Sequence, residues 1–125
     1  MPNLVDANIL LRIILQDNAA LSAQAQQILN KAEPGSLIVT PVIAAEVLYV
    51  LGPKNYTRQQ GVDALMLLFD RPQFKRSELL VGSLNFYAQT RLDYADCYLL
   101  ARALTSGEGL RTLDDQLQKT YKRLK

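Results

Sequence analysis

Ser36-Leu37-Ile38-Val39-Thr40-Pro41-Val42-Ile43-Ala44-Ala45-Glu46-Val47-Leu48 is the stretch from which the fold follows. Leu37, Ile38 and Val39 form a short apolar, β-branched run bounded by Ser36 and Thr40, the composition of a buried strand. Pro41 then suits a first helical position, where its fixed φ is helical and its missing N–H would have been unpaired anyway. The reading is a strand over residues 36–40 that passes directly into a helix over Pro41–Leu51, stopped by Gly52-Pro53. The same passage occurs at the start of the chain. Residues 2–5 read as a short buried strand and Ala7–Leu15 as a helix, with Asp6 at the junction.

Outward from these two passages the alternation continues. Ala19–Lys31 is rich in Ala, Gln and Leu and reads as a helix, broken by Glu33-Pro34-Gly35. Thr57 is placed to cap a helix that reaches Phe69, and Arg71-Pro72 makes a turn. A third strand is expected at residues 77–81, a helix at 84–89, and a helix at 94–104 capped by Asp93. After the Ser106-Gly107-Glu108-Gly109 loop, residues 110–113 read as a last short strand and 115–124 as a terminal helix. Strands alternating with helices predict an α/β fold with a short, mostly parallel sheet, and the length of 125 residues predicts one domain, 1–125.

Four acids stand where an apolar segment ends or turns: Asp6, Glu46, Asp96 and Asp114. In a parallel α/β sheet, sites form beyond the carboxyl ends of the strands. Asp6 follows the first strand, Glu46 lies inside the helix after the second, and Asp114 ends the last, so chain order alone sends these three to one sheet edge. Glu46 is the sharpest case. It is the only charged residue between Glu33 and Lys54, and a lone carboxylate among apolar neighbours is costly unless something pairs with it. Converging carboxylates without basic partners suit a divalent cation such as Mg²⁺ or Mn²⁺.

Each acid also has a plainer reading. Asp6 is placed to cap its helix. Asp93 and Asp96 form an Asp-x-x-Asp capping pattern that explains Asp93 well and Asp96 poorly, since Asp is short for reaching back to the cap. Either Asp114 or Asp115 can cap the last helix. Glu46 is too far inside its helix to cap, and its plain reading is a buried ion pair with Arg12 or Arg102. Asn8 fits a first helical turn and Thr112 a strand, and Cys97 is read as a small core residue. Tyr49, Tyr56, Phe86, Tyr87 and Tyr94 are read as core or groove lining.

Composition narrows the chemistry further. The chain has no histidine, which removes Ser-His-Asp and Cys-His nucleophiles and every histidine metal site. One cysteine excludes an internal disulfide framework and thiolate-rich zinc sites. No Gly-rich dinucleotide fingerprint or P-loop is present. Oxygen donors remain, and these suit Mg²⁺ or Mn²⁺. The net charge of +2 is uneven, with Lys119, Lys122, Arg123 and Lys125 in the last ten residues and a second cluster at Arg71, Lys75 and Arg76 near Phe74. Such clusters can hold a polyanion or simply face solvent. No apolar run reaches the roughly 18 residues of a membrane span, and the start lacks a secretory pattern, so a cytoplasmic protein is expected.

Val5-Asp6-Ala7-Asn8-Ile9-Leu10, Ala45-Glu46-Val47, Asp93-Tyr94-Ala95-Asp96-Cys97-Tyr98-Leu99-Leu100-Ala101 and Thr112-Leu113-Asp114, in that order, resemble the motifs of the PIN domain, and within it the small VapC-like toxins of toxin–antitoxin pairs. The resemblance implies a three-layer α/β/α fold. It implies that Asp6, Glu46 and Asp96 are the principal metal-binding acids, Asp114 a more variable fourth, and Asn8 and Thr112 accessory polar residues. Ala7 stands where Thr is common and Leu113 where Phe is common, which bears on the subfamily and removes no acid. The activity implied is a Mg²⁺- or Mn²⁺-dependent endoribonuclease that uses an activated water, with an RNA substrate, an antitoxin partner and a homodimer. Apolar residues spread over more than one face of 42–51 and 64–69 agree with a partner-covered surface or with complete burial in the monomer.

Two other classes compete. A phosphoacceptor receiver domain also clusters acids at strand ends, but it wants two adjacent acids after the first strand and a lysine after the last. Asp6 has no acidic neighbour, and Asp114-Asp115 follows the last expected strand. A non-catalytic PIN-like RNA-binding scaffold is the other, and retention of all four acids counts against it.

Overall fold

In the computed structural model, which describes residues 1–125, both strand-to-helix passages are present. The elements are β1 (Asn3–Leu4), α1 (Ala7–Leu15), α2 (Ala19–Lys31), β2 (Leu37–Ile38), α3 (Pro41–Leu51), α4 (Arg58–Phe69), α5 (Glu78–Gln89), α6 (Tyr94–Ser106) and α7 (Asp115–Leu124). β1 and β2 pair in parallel, Asn3 opposite Leu37 and Leu4 opposite Ile38. Asn3 N donates to Ser36 O at 2.7 Å and Val5 N to Ile38 O at 3.0 Å. The architecture is α/β with a short parallel sheet, and each strand is trimmed to two residues of the expected four or five.

The chain gathers into two compact units, residues 1–76 and 77–125. In the first, α1 packs on α2 and α3, and α3 on α4. Thr40 caps α3 and Pro41 occupies its first turn as the sequence dictates. Ala44, Val47, Leu48 and Leu51 are buried, the i, i+3, i+4, i+7 stripe of a helix seated on one face. Gly61 of α4 lets the two helices approach closely, since a Cβ there would stand 3.1 Å from Leu48 Cδ2. Thr57 and Gln60 close a reciprocal capping box at the start of α4: Gln60 N donates to Thr57 Oγ1 at 3.1 Å, and Thr57 N donates to Gln60 Oε1 at 2.9 Å.

Two expected strands are absent. Residues 78–81 are the first turn of α5, not a strand. Ser77 is its N-cap, accepting from Leu80 N at 3.2 Å, and Leu80 and Leu84 bury at helical spacing. The place beside β2 is taken instead by residues 73–75. Leu37 N donates to Gln73 O at 2.9 Å and Lys75 N to Leu37 O at 2.8 Å, leaving Phe74 as a single parallel bridge to Leu37. Residues 110–113 are also irregular rather than a strand. Leu113 is fully exposed and the Thr112 side chain bonds the backbone, so this segment is a turn into α7.

In the second unit α5 packs along α6, and α7 packs on α6. Leu92, Cys97, Leu100 and Leu117 form a buried cluster flanked by Phe86, Tyr87, Leu104, Leu110 and Tyr121. Cys97 is thus a core residue, as its surroundings in the sequence imply.

Candidate functional site

Asp6 is the residue between β1 and α1. The strand bond from Val5 N and the burial of Val5 fix the backbone immediately before it. Asp6 occupies the N-cap position with extended backbone, yet its carboxylate makes no cap hydrogen bond and is exposed. The capping explanation therefore supplies the position and not the function of the side chain. Asn8, two residues on, is likewise exposed on α1.

Glu46 corrects an expectation. It does not lie against the core and forms no buried ion pair. The helical stripe that buries Ala44, Val47 and Leu48 turns residue 46 outward, and the carboxylate is exposed. Arg12 bonds Asp17 at 3.0 Å and Arg102 bonds Glu108 at 2.8 Å, so neither proposed partner is engaged with it. Val42, 75% exposed, and Tyr49, 58% exposed, share its face, which removes complete burial as the explanation of that apolar stretch and, of the two readings of Tyr49 as core or groove lining, excludes the core. Leu67 of α4 is similarly exposed. Asp6 and Glu46 are carried by α1 and α3 of the same unit, which pack together.

The other acids lie in the second unit. Asp93 sits at the N-cap of α6 without making a cap bond, so the capping box expected there does not form. Asp96 lies in the first turn of α6 and is half-buried. Burial first, then the negative charges of Asp114 and Asp93, push its carboxyl above the ordinary carboxylate pKa. Asp114 caps α7: its Oδ1 accepts from Leu117 N at 2.8 Å, while its own N donates to Thr112 Oγ1 at 3.0 Å. Thr112 thus holds Asp114 in place from a turn. Because no strand precedes it, the strand-end argument that sent Asp114 to the sheet edge falls away, and its proximity to Asp96 is what remains.

No group of three or more His, Cys, Asp or Glu residues gathers at metal-ligating spacing. The acids of each unit are hard oxygen donors, the ligand type that divalent cations such as Mg²⁺ or Mn²⁺ take. In the first unit the carboxylates of Asp6 and Glu46 are exposed; in the second, burial first and then the charges of Asp114 and Asp93 disfavour the Asp96 anion. Oxygen-only ligands in general favour Mg²⁺ or Mn²⁺ over softer metals.

Other features had little sequence signal. Ser83 and Tyr94, both buried, share a 2.7 Å hydrogen bond, and burial pushes the Tyr94 hydroxyl up to about 12, partly offset by that bond. Tyr94 is therefore a protonated core anchor for α5 on α6. A shallow groove of about 250 Å³ runs between α1 and α2, lined by Asn8, Ile9, Arg12, Leu21, Gln24, Ala25 and Ile28. A second, of about 340 Å³, follows the outer face of α7 along Asp115, Gln116, Lys119, Thr120 and Arg123. No helix is long and apolar enough to cross a membrane.

The family model described as the PIN domain matches residues 4–123 and runs through both units. Neither the curated proteins nor the solved structures yield a match.

Proposed function

Because the chain belongs to the PIN-domain family, whose members are generally nucleases, we propose that it is a divalent-metal-dependent endoribonuclease, acting as the toxin of a toxin–antitoxin pair. The observation that carries this reading is the PIN-domain match over residues 4–123, which spans Asp6, Glu46, Asp96 and Asp114; the raised Asp96 carboxyl beside Asp114 and Asp93 is in keeping with it.

Asp6, Glu46 and Asp96 are the residues that would hold the ion, with Asp114 joining directly or through water. An Mg²⁺ or Mn²⁺ ion bound there supplies activation of water and neutralisation of charge at the phosphate. The exposed carboxylates of Asp6 and Glu46 leave that face open to a polymer substrate. Thr112 fixes the backbone of Asp114 through the 3.0 Å bond to its N–H, and Asn8 offers an exposed amide one residue into α1. With no histidine in the chain, a pair of imidazoles cannot activate the RNA 2′-hydroxyl, so hydrolysis by water is the consistent route. The whole of 1–125 acts as one catalytic domain in this reading, in the cytoplasm, with RNA as substrate. Exposed Val42, Tyr49 and Leu67 are suited to coverage by a second copy or by an antitoxin.

The test is cleavage of single-stranded and structured RNA with Mn²⁺ or Mg²⁺, with EDTA, and with Asp6→Asn and Glu46→Gln. Metal-dependent cleavage lost in both variants is expected. Full activity in the variants, or cleavage indifferent to EDTA, overturns the reading.

A further inference from the structure

The outer face of α7 carries a feature that metal chemistry does not use. Leu117 is buried and Tyr121 packs on the same cluster, which fixes the rotation of the helix. Gln116, Lys119 and Arg123 are then turned to solvent along one side. Lys119 and Arg123 are four residues apart and line the same 340 Å³ groove with Gln116 and Thr120. Neither cation forms an ion pair. Asp115 stands one turn before Lys119, the arrangement in which a helical pair commonly forms, yet the two carry no salt bridge. The C-terminal dipole accounts for cations in the last turn such as Lys122 and Arg123, but not for Lys119 a turn earlier.

The direction of the helix matters as much as its charge. Asp114 caps its N-terminus. At 1.5 Å per residue, Lys119 lies about 7.5 Å and Arg123 about 13.5 Å along the axis from Asp114. That is a regular ladder, with one cation per turn leading away from a candidate metal-binding acid. Asp115, at the near end of the groove, disfavours an anion beside it, so a phosphate in this groove would sit against Lys119 and Arg123.

We propose that Lys119 and Arg123 on the exposed face of α7 form a phosphate track that holds the RNA strand flanking the bond to be cut. The proposal rests on the nuclease reading and adds to it the residues that grip the substrate. The contacts are electrostatic and independent of sequence, so their signature is salt dependence.

The test is fluorescence anisotropy of a labelled single-stranded RNA of about 12 nucleotides, within the length such tracks engage. It is titrated over a range of salt with the Asp6→Asn protein, with and without Lys119→Gln plus Arg123→Gln. Each phosphate contact on a single strand contributes a slope of about −0.7 in log K against log salt, so losing two lowers the slope by about 1.4 and the affinity at 0.1 M salt by about 25-fold. A charge-matched control, Lys31→Gln plus Lys54→Gln, removes the same net charge elsewhere and is expected to leave the slope unchanged. In the otherwise wild-type protein, the α7 pair raises KM for RNA and keeps kcat. An unchanged slope and affinity in the α7 double variant, while the wild-type protein still cleaves RNA with metal, overturns the track and leaves the nuclease reading standing. An equal loss in the control also overturns it. RNA neither bound nor cleaved by the wild-type protein removes both.

Discussion

Asp114 occupies two roles that can be separated by one atom. Its Oδ1 caps α7 through the 2.8 Å bond from Leu117 N, and its charge is one of the two that raise Asp96. Asn caps as well as Asp, whereas Ala does not. Asp114→Ala should therefore cost about 1 kcal/mol of stability, a fall in Tm of about 4 °C for a chain of this size. Asp114→Asn should stay within about 0.5 kcal/mol of wild type, because the cap is kept and the lost favourable charge at the helix N-terminus is offset by relief of Asp96. Metal then divides the readings. With Mn²⁺ at about 100 times its Kd, a folded-state site adds about 2.7 kcal/mol; a variant that binds tenfold more weakly, the smaller effect typical of losing a supporting ligand, gains only about 1.4 kcal/mol. The assay is urea or thermal unfolding of the three proteins with and without Mn²⁺. If Asp114→Asn keeps the full Mn²⁺ gain, Asp114 is a cap alone. If Asp114→Ala unfolds like wild type without metal, the cap reasoning fails.

Asp96→Asn should stabilise the metal-free protein at neutral pH. A carboxyl whose native pKa is raised binds its proton more tightly when folded, so ionising it costs stability, fully above the native pKa and not at all below its ordinary value of 3.8. The advantage of Asn should shrink as pH falls through that window in a urea series, and a variant less stable than wild type at neutral pH contradicts the assignment. Glu46→Gln should alter stability by less than about 0.5 kcal/mol, because the side chain is exposed and unpaired, while RNA cleavage falls at least about a hundredfold. Matched loss of folding in circular dichroism would show a structural role instead. Leu117→Ala, at the centre of the cluster beneath α7, should cost about 2–5 kcal/mol in urea unfolding, and a cost under about 1 kcal/mol would mean that α7 is not anchored there.

The helices were legible wherever a local device sets the boundary. Pro41 and Gly52 bracket α3, Thr57 opens α4 with Gln60, and Pro34-Gly35 follows α2, and each bound falls where these residues place it. Residues 77–81 misled because a short apolar run has no period of its own. The serine cap and the burial of Leu80 with Leu84 decide for helix, and that decision is tertiary. Residues 110–113 misled because Leu110-Arg111-Thr112-Leu113, with its β-branched Thr112, imitates a strand, while the Thr112 hydroxyl is committed to Asp114 N. Glu46 is the instructive case. Its neighbours along the chain are apolar, but its neighbours on the helix surface are Val42 and Tyr49, both exposed, so linear composition overstated its burial. The interplay of Asp96 with Asp114 had no strand-end signal at all, since the strand meant to deliver Asp114 is absent.

In the proposed reaction, water activated with the help of these carboxylates and a divalent ion cuts the RNA chain. Cleavage in water enriched in the heavy oxygen isotope, with Mn²⁺ present and the fragments weighed by mass spectrometry, tests it most directly. Hydrolysis by water leaves one heavy oxygen in a 5′-phosphate on the downstream fragment and a plain 3′-hydroxyl on the upstream one. A 2′,3′-cyclic phosphate on the upstream fragment, with an unlabelled 5′-hydroxyl downstream, would contradict it.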